Sequence, residues 1–265
     1  MERHDDQKGS PDRFGYSWER FSDLSAEQEA QFRLWTVHLS PERDWVGKAF
    51  LDAGCGAGRN SYWAMSCGAR SCVAMDLDDR SLDAARRNLA KFPAAEVRKC
   101  SIYDIEDRDA FDIVFSIGVV HHLNDPGLAV RKLAQAARPG GRVLIWVYGR
   151  ENLALYVNVL DPLRKVLFSR MPLGLVRLLA WLPAAALWAL VRAGITPLAY
   201  LKLLRGFSLA HIHHIVFDQM LPRTTFYWRK EQAVALLEQA GLCDIESAWV
   251  NEVSWSIIGT KPPRA

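Results

Sequence analysis

The chain has 265 residues, which is enough for one α/β domain with an insertion or for two small domains. Its residues are 50% hydrophobic and 24% charged, a composition that excludes a disordered or fibrous protein. A formal net charge of +3 is too small to indicate nucleic-acid binding by itself. The five cysteines include no Cys-x-x-Cys pair, so they predict reduced thiols rather than a disulfide framework or a zinc knuckle. The polar first thirteen residues lack the apolar core of a signal peptide, and we expect a cytoplasmic protein.

The first predicted element is a helix between Ser22 and Leu39, which Ser25 and Gln28 can begin with a capping box. Beyond it, helical patterns alternate with five apolar strand candidates: FLDA, SCVAMDLD, AEVRKCSIYD, FDIVFSIGVV and RPGGRVLIWVY. Asp78 and the pair Asp125-Pro126 stand where two of the intervening helices need N-terminal caps. This alternation predicts βαβ units and a parallel sheet that is covered on both faces.

The alternation ends after Tyr148, where a long apolar and basic segment begins. A helix, RKEQAVALLEQAG, and two strands joined around Asn251 complete the chain. We therefore predict a single domain with four parts. They are an N-terminal arm (1–45), a cofactor-binding core (46–150), a helical insertion (151–220), and a C-terminal helix with a strand pair (221–265).

The stretch FLDAGCGAGRN places three glycines directly after a strand and at the start of a helix. A ligand can approach such a backbone closely, and the helix N-terminus offers N–H groups to a carboxylate or phosphate. Asp76 ends the next strand, where an acidic side chain binds ribose hydroxyls in nucleotide-binding sheets. The dinucleotide fingerprint would need a third glycine at position 59, which is Arg59. The spacing is instead D-x-G-x-G-x-G, beginning at Asp52.

With this loop, the chain resembles the class I (Rossmann-like) S-adenosylmethionine-dependent methyltransferases. Five motifs carry the resemblance in order, from Phe50 to Tyr148: LDAGCGAGR, VAMDLD, SIYDIED, FDIVFSIGVVHHLNDP and RPGGRVLIWV. The resemblance implies a Rossmann-like, doubly wound, seven-stranded mixed sheet, with the final hairpin as its antiparallel edge. It also implies S-adenosylmethionine as the cofactor and methyl transfer as the activity.

The resemblance further implies a set of cofactor contacts along these motifs. The methionine part of S-adenosylmethionine would lie against Asp52, Gly54, Cys55, Gly56, Gly58, Ser116 and Ile117. Asp76 would bind the ribose hydroxyls, and Leu77 would lie against the adenine. Asp104 would accept from the adenine amino group, and Ile105 would pack on the adenine ring.

Aromatic residues ahead of the first motif often close over the cofactor in this family. FGYSW, residues 14–18, is a candidate lid in which Tyr16 or Trp18 could contact the sulfonium by a cation–π interaction. The alternative is that these rings only hold the N-terminal arm against the core.

Two histidine groups supply candidates for a general base, which methyl transfer needs when the acceptor is a hydroxyl or a protonated amine. His121 follows the fourth strand, but a structural role in that loop is an alternative, since VVHHL is a common form of the family's loop. His213 and His214 belong to the HIHH run, shortly before Asp218, and a His paired with a carboxylate makes a suitable base. Packing or surface roles are the alternative for these residues, and we predict no metal site.

Between Pro162 and Phe217 the chain has seven bases and no Asp or Glu. Its longest uncharged run, LLAWLPAAALWALV, is shorter than a membrane span and is interrupted by Pro183. A cationic, Trp-bearing segment of this kind suits a helical cap, a membrane interface or lid over a lipid-like acceptor, or a dimer interface. We therefore expect peripheral contact of residues 162–217 with the inner membrane surface as one of three interpretations.

The sequence thus predicts methyl transfer to a small hydrophobic acceptor, most simply at oxygen. The chain lacks the N/D-P-P-Y/F motif of amino-methylating nucleic-acid enzymes after the fourth strand, and it lacks the Pro-Cys nucleophile of cytosine-C5 enzymes. Both observations disfavour nucleic acid as the partner. An RNA methyltransferase, a nicotinamide-dependent oxidoreductase and a non-catalytic cofactor-binding protein remain as alternatives.

Overall fold

The computed structural model describes residues 14–16, 24–154, 156–168 and 171–263. Its sheet has seven strands: β1 (Ala49–Ala53), β2 (Ser71–Asp76), β3 (Ala95–Lys99), β4 (Phe111–Ile117), β5 (Ala137–Tyr148), β6 (Cys243–Val250) and β7 (Ser254–Thr260). The strand order is β3-β2-β1-β4-β5-β7-β6. The first five strands are parallel, and β7 runs antiparallel to both β5 and β6. The predicted seven-stranded mixed sheet is confirmed.

The strand order reverses between β1 and β4, and this reversal positions the site. From β1 the chain adds β2 and β3 on one side, then crosses back to place β4 and β5 on the other. In the central pair, Leu51 of β1 lies opposite Val114 of β4. In open α/β sheets, a crevice for ligands forms at the carboxyl ends of the strands at such a reversal.

Besides a short helical stretch at residues 14–16, ten α-helices accompany the sheet in the part of the chain that the structure describes. They are α1 (Ala26–Trp35), α2 (Arg59–Ser66), α3 (Asp79–Leu89), α4 (Pro126–Ala136), α5 (Asp161–Leu167), α6 (Leu173–Leu179), α7 (Trp181–Arg192), α8 (Ala199–Leu204), α9 (Leu209–Met220) and α10 (Lys230–Gln239). The predicted capping box of Ser25 and Gln28 begins α1. Asp78 and Asp125 cap α3 and α4, as predicted, by accepting hydrogen bonds from backbone N–H groups.

Helices cover both faces of the sheet, which explains why the central strands are apolar at almost every position. On one face, α4 and α10 pack on β1, β4 and β5, and Leu133 and Leu237 are fully buried there. On the other face, α1 and α2 enclose an aromatic cluster. In that cluster the Trp45 ring meets Phe50 and Phe115 edge-on, at centroid distances of 5.6 and 5.7 Å.

Helices α5 to α9 form a cap between β5 and α10, and we use this name for residues 156–221 below. Two small apolar clusters join its helices. Val176 and Ala180 pack with Phe217 of α9, and Val191 packs with Ile212 of α9. The cap helices therefore pack against one another around small apolar cores of their own.

Within the cap, α6 and α7 follow each other with only Ala180 between them. Together they make a run of 20 residues, Leu173–Arg192, that is long and apolar enough to cross a membrane by length and composition alone. This run includes Arg177 and Arg192, so it does not test the prediction that the fourteen uncharged residues between them are too short for a span. Pro183 lies in the first turn of α7, where its missing N–H and fixed φ are tolerated.

Candidate functional site

A cavity of about 1010 Å³ lies between the carboxyl ends of the central strands and the cap. One end is formed by the glycine loop and the ends of β2 and β4, and includes Gly54, Gly56 and Asp76. The other end is formed mainly by apolar side chains of the cap, such as Leu187 and Leu204. Its volume is at the upper end of the range for small-molecule sites, which suits two ligands side by side.

Gly54, the first glycine of the loop, has no room for a side chain. Gly54 has φ +87°, and a Cβ placed there would lie 2.4 Å from a Val119 side-chain carbon. The N–H groups of Gly54 and Cys55 bond back to the Met75 carbonyl at 2.8 and 2.9 Å. The loop is thus held against β2, and its backbone forms one wall of the cavity.

Asp76 ends β2 at the cavity wall and organises the loop. Its carboxylate accepts hydrogen bonds from the N–H groups of Gly56, Leu77 and Asp78, at 2.9, 2.8 and 3.2 Å. Burial raises the pKa of this carboxyl, and the three N–H bonds oppose that shift. A carboxylate has about four acceptor positions, so one remains for a ribose hydroxyl. Leu77 lies beside it in the same wall, as do Cys55 and Ile117.

Asp52 lies beneath the loop rather than in the cavity wall. It is fully buried, and it accepts a hydrogen bond from the Ser61 hydroxyl at 2.7 Å. Burial, the largest cause, raises the pKa of this carboxyl to about 7. Ser116 is also fully buried and donates to the Ala53 carbonyl at 2.8 Å, while Gly58 closes against Ala85 of α3. These three predicted contacts support the loop from behind, since none of them lines the cavity.

The predicted adenine contacts, Asp104 and Ile105, need correction. Asp104 is exposed and faces a separate shallow depression, and Ile105 is 1% exposed within the main core. A single helical turn at Ile102–Asp104, capped by Ser101, directs the chain away from the cavity before Asp104 is reached. Ser101 and Ile102 line the cavity instead. Their residue types carry no signal that would predict this contact, because an acidic residue is the expected feature at the adenine.

Of the two histidines after β4, the cavity is lined by His122 and not by the predicted His121. His121 is fully buried, and neither of its ring nitrogens has a hydrogen-bond partner among the described residues. Its ring lies 3.9 Å from the Tyr148 ring, so it is a packing residue. His122 Nδ1 lies 3.0 Å from the Thr224 carbonyl oxygen, and burial lowers the pKa of this imidazole to about 4. Neither histidine therefore suits the role of base.

On α9 the structure separates His213 from His214. His213 stacks on Trp181 at 3.9 Å, with its Nε2 2.9 Å from the Arg177 carbonyl oxygen, and it does not line the cavity. Its place among the base candidates is therefore corrected to a packing role. His214 lines the cavity, and its Nε2 lies 3.0 Å from Oδ2 of Asp218 one turn later. This is the histidine–carboxylate pair that the sequence predicted as a base.

A group of phenols between the two ends of the cavity was not predicted. The Tyr148 hydroxyl accepts from Gln219 at 2.6 Å, and the Tyr156 hydroxyl donates to the same amide at 3.3 Å. Tyr227 stacks on Tyr148 at 5.8 Å. Burial raises the pKa of all three phenols, so they remain neutral hydrogen-bonding groups. Only the folded structure shows that these phenols form one group, because Tyr148 and Tyr156 are far from Tyr227 in the chain.

The candidate lid is described only in part. Phe14 lines the cavity, with its ring 5.1 Å from the His122 ring. Tyr16 packs edge-on against Phe217 of the cap at 6.1 Å, and Trp18 lies outside the described residues. These contacts place the residues 14–16 between the core and the cap. Among the described residues, no cluster of three His, Cys, Asp or Glu side chains could hold a metal ion.

Comparisons with known proteins agree with this geometry. Residues 51–145 match the family model described as "Methyltransferase domain". The tRNA U34 carboxymethyltransferase of Klebsiella pneumoniae subsp. pneumoniae is 32% identical over 124 residues, which are 44% of this chain and 36% of that protein. The chloroplastic tocopherol O-methyltransferase of Arabidopsis thaliana is 30% identical over 149 residues, which are 52% of this chain and 42% of that protein. The chain thus spans less than half the length of these curated relatives.

A solved structure shows the same fold over nearly the whole chain. The magnesium protoporphyrin IX methyltransferase from Synechocystis PCC 6803, crystallised with bound SAH, is 12% identical and superposes with a TM-score of 0.56. The likeness covers 94% of this chain and 93% of that one. The sheet order and the glycine loop joined to Asp76 agree with the family match, and residues 51–145 form a methyltransferase domain. S-adenosylmethionine is therefore its cofactor, and the residues of the loop end fit it.

Proposed function

We propose that this enzyme methylates a hydroxyl oxygen of a small, mostly apolar acceptor that binds beneath the cap. One observation carries the proposal: a single cavity joins the glycine loop and Asp76 at one end to the apolar side chains of the cap at the other. An acceptor at the cap end would lie beside the cofactor without a wall between them. The two ligands would then react while held in position, and proximity accounts for much of the rate in such reactions.

The chemistry asks little of the protein beyond alignment, exclusion of water and removal of one proton. When bound, S-adenosylmethionine supplies a methyl group on a sulfonium, and the sulfur keeps the electron pair of the broken S–C bond. The His214 imidazole takes the hydroxyl proton as the oxygen forms its bond to the methyl carbon. Asp218, 3.0 Å from Nε2, orients the ring and stabilises its protonated form. The apolar cap keeps water from the reacting atoms.

A polar group also lies in the cavity, between the loop end and the cap end. The phenols of Tyr148, Tyr156 and Tyr227 line the cavity and stay neutral, so they can orient a hydroxyl by donating or accepting hydrogen bonds. Apolar walls with a few converging polar groups are typical of sites for small molecules. This arrangement favours an acceptor with one hydroxyl on an apolar frame.

The relatives are named for different acceptors, a tRNA uridine in one and a tocopherol in the other. Their names therefore leave the acceptor open, and the wall of the cavity is the better guide. The base-rich cap segment is the feature that would favour RNA, yet the cap side chains that reach the cavity are mostly apolar. Methylation of RNA is the result that would replace this proposal.

The proposal is tested by incubating the purified chain and methyl-labelled S-adenosylmethionine with three fractions of the source cells. The fractions are a detergent-dispersed lipid extract, the water-soluble metabolites and total RNA. We expect label in an organic-phase product, and none in the RNA. Label that enters only RNA, or only polar metabolites, would contradict an apolar acceptor. Release of the label as volatile methyl iodide on ether cleavage with hydriodic acid identifies oxygen as the methylated atom.

A further inference from the structure

The outer face of the cap is apolar. Leu175, Leu178 and Leu182 follow one another at helical spacing on α6 and α7, and they are 44, 67 and 80% exposed. On the preceding helix, Val166 and Leu167 are 76 and 42% exposed. A helix on the surface of a soluble domain normally turns polar side chains to water. Here the solvent side carries leucine and valine, so we infer that another surface covers this face.

The same helices are anchored to the domain by their other side. Val176, Ala180 and Ala184 are fully buried, and the first two pack against Phe217 of α9. Moving α6 and α7 into a bilayer as a span would break this packing and open the cavity. The run Leu173–Arg192 therefore suits a position along a membrane surface, with its outer face in the lipid.

The charges of the cap identify the kind of surface. Arg192, Lys202 and Arg205 are exposed, and in the described part of the chain no carboxylate pairs with any of them. No acidic residue occurs anywhere from 162 to 217. A cap that combines an apolar outer face with exposed bases is complementary to a bilayer that contains anionic lipid. A second copy of this chain would bring like charges together.

The cavity opens on this same face. Leu160, Leu179 and Leu182 line the cavity, and they are also 47, 41 and 80% exposed. We propose that the enzyme docks on an anionic membrane surface through α5, α6 and α7, and that its acceptor enters from the bilayer between these three leucines. This inference rests on the proposed function for the acceptor, but docking itself can be measured without it. The class of acceptor it implies is a lipid-soluble alcohol or phenol.

The test is flotation of the full chain with vesicles of phosphatidylcholine, alone or with about 30% phosphatidylglycerol. We expect the protein to float with the anionic vesicles, and less so with neutral vesicles or at high salt. The double variant Val166→Asp/Leu178→Asp should lose at least about tenfold in partitioning, because two apolar side chains no longer enter the lipid. The double variant Arg192→Glu/Arg205→Glu should lose binding to the anionic vesicles only.

The matched control is Val37→Asp/Val46→Asp, since both valines are 54% exposed and lie outside the cap. It should float like the wild type, and all variants should still bind S-adenosylhomocysteine. A wild-type protein that stays soluble, or that hides this face in a dimer seen by light scattering, overturns the docking proposal. So does a control pair that loses as much partitioning as the cap pair.

Transfer rates separate this inference from the proposed function. With the lipid extract in vesicles, Val166→Asp/Leu178→Asp should label its product at least about tenfold more slowly than the wild type. With the same extract in detergent, the two rates should agree. An enzyme that labels in detergent yet never floats refutes docking and keeps the proposed function. An enzyme that floats yet labels no organic-phase product refutes the proposed function and keeps docking.

Discussion

His213 and His214 are neighbours on α9, yet their rings have different surroundings. The ring of His213 is stacked between helices and bonded to a backbone carbonyl, while His214 meets a carboxylate in the cavity wall. Successive residues on a helix point about 100° apart, and of this pair only His214 lines the cavity. The packing role of His213 and the proposed catalytic role of His214 can therefore be tested separately by substitution.

His214→Gln should lower the rate of methyl transfer to the organic-phase product by at least about 100-fold, since it removes a general base. Its affinity for S-adenosylhomocysteine should stay within about twofold, because the change lies at the acceptor end. His213→Gln is the matched control and should cost about 1–2 kcal/mol of stability through lost stacking, with a rate close to wild type. Equal rates for the two variants would remove His214 from the mechanism.

Single residues also mark the limit of prediction from sequence. Asp76 was identifiable, because an acidic residue at the end of the second strand binds ribose hydroxyls in such sheets. Ser101 was not, since a small hydroxyl residue carries no comparable signal. The choice between His121 and His122 depends on a single helical turn, Val120–His122, whose orientation no spacing reveals. Residue types could be predicted, but the direction of each side chain depended on local backbone geometry.

At the scale of elements, the loop between β1 and α2 combines a left-handed backbone at Gly54 with close packing. Gly54→Ala places a methyl group 2.4 Å from Val119 at a φ of +87°, which L-residues rarely adopt. We expect at least a tenfold loss of affinity for S-adenosylhomocysteine by calorimetry, because both Val119 and the loop form the cavity wall.

Gly241→Ala is the control for this prediction. Its φ is +79°, and no heavy atom lies within 4 Å of the added methyl group. It should cost about 1 kcal/mol of stability from the left-handed backbone alone and leave the affinity unchanged. If Gly54→Ala binds as well as this control, the loop does not need its bare backbone for the cofactor.

The elements themselves were largely predictable. Strands and helices of the core follow from the alternation of apolar runs with capped helical patterns, and the caps Ser25, Asp78 and Asp125 are where the sequence places them. The cap was harder. Its apolar residues indicate helices, but the pattern alone cannot say which apolar side faces the domain and which faces outward.

At the scale of the whole molecule, buried histidines couple stability to pH. Burial and the neighbouring His122 hold the pKa of His121 well below its usual range, and burial lowers that of His122 to about 4. As pH falls below about 6.5, the unfolded chain takes up protons that the folded chain does not, so stability is lost between about pH 6.5 and pH 4.

His121→Phe tests this coupling. The ring has no described hydrogen-bond partner and packs on Tyr148, so phenylalanine should fit. From urea unfolding at about pH 7.5 and about pH 5, we expect the variant to lose up to about 2 kcal/mol less stability than wild type. Methyl transfer should continue, because His121 does not line the cavity. An unchanged pH dependence, or a lost activity, would contradict this assignment.

The most direct test of the account is the affinity for S-adenosylhomocysteine measured by isothermal titration calorimetry. We predict one site in the wild type and a loss of at least about tenfold in Asp76→Ala, which removes the carboxylate that joins the ribose site to the Gly56 N–H. Asp79→Ala, whose side chain is 72% exposed on α3, should bind like wild type. Absent binding in the wild type, or full affinity in Asp76→Ala with an intact fold, would contradict the central claim.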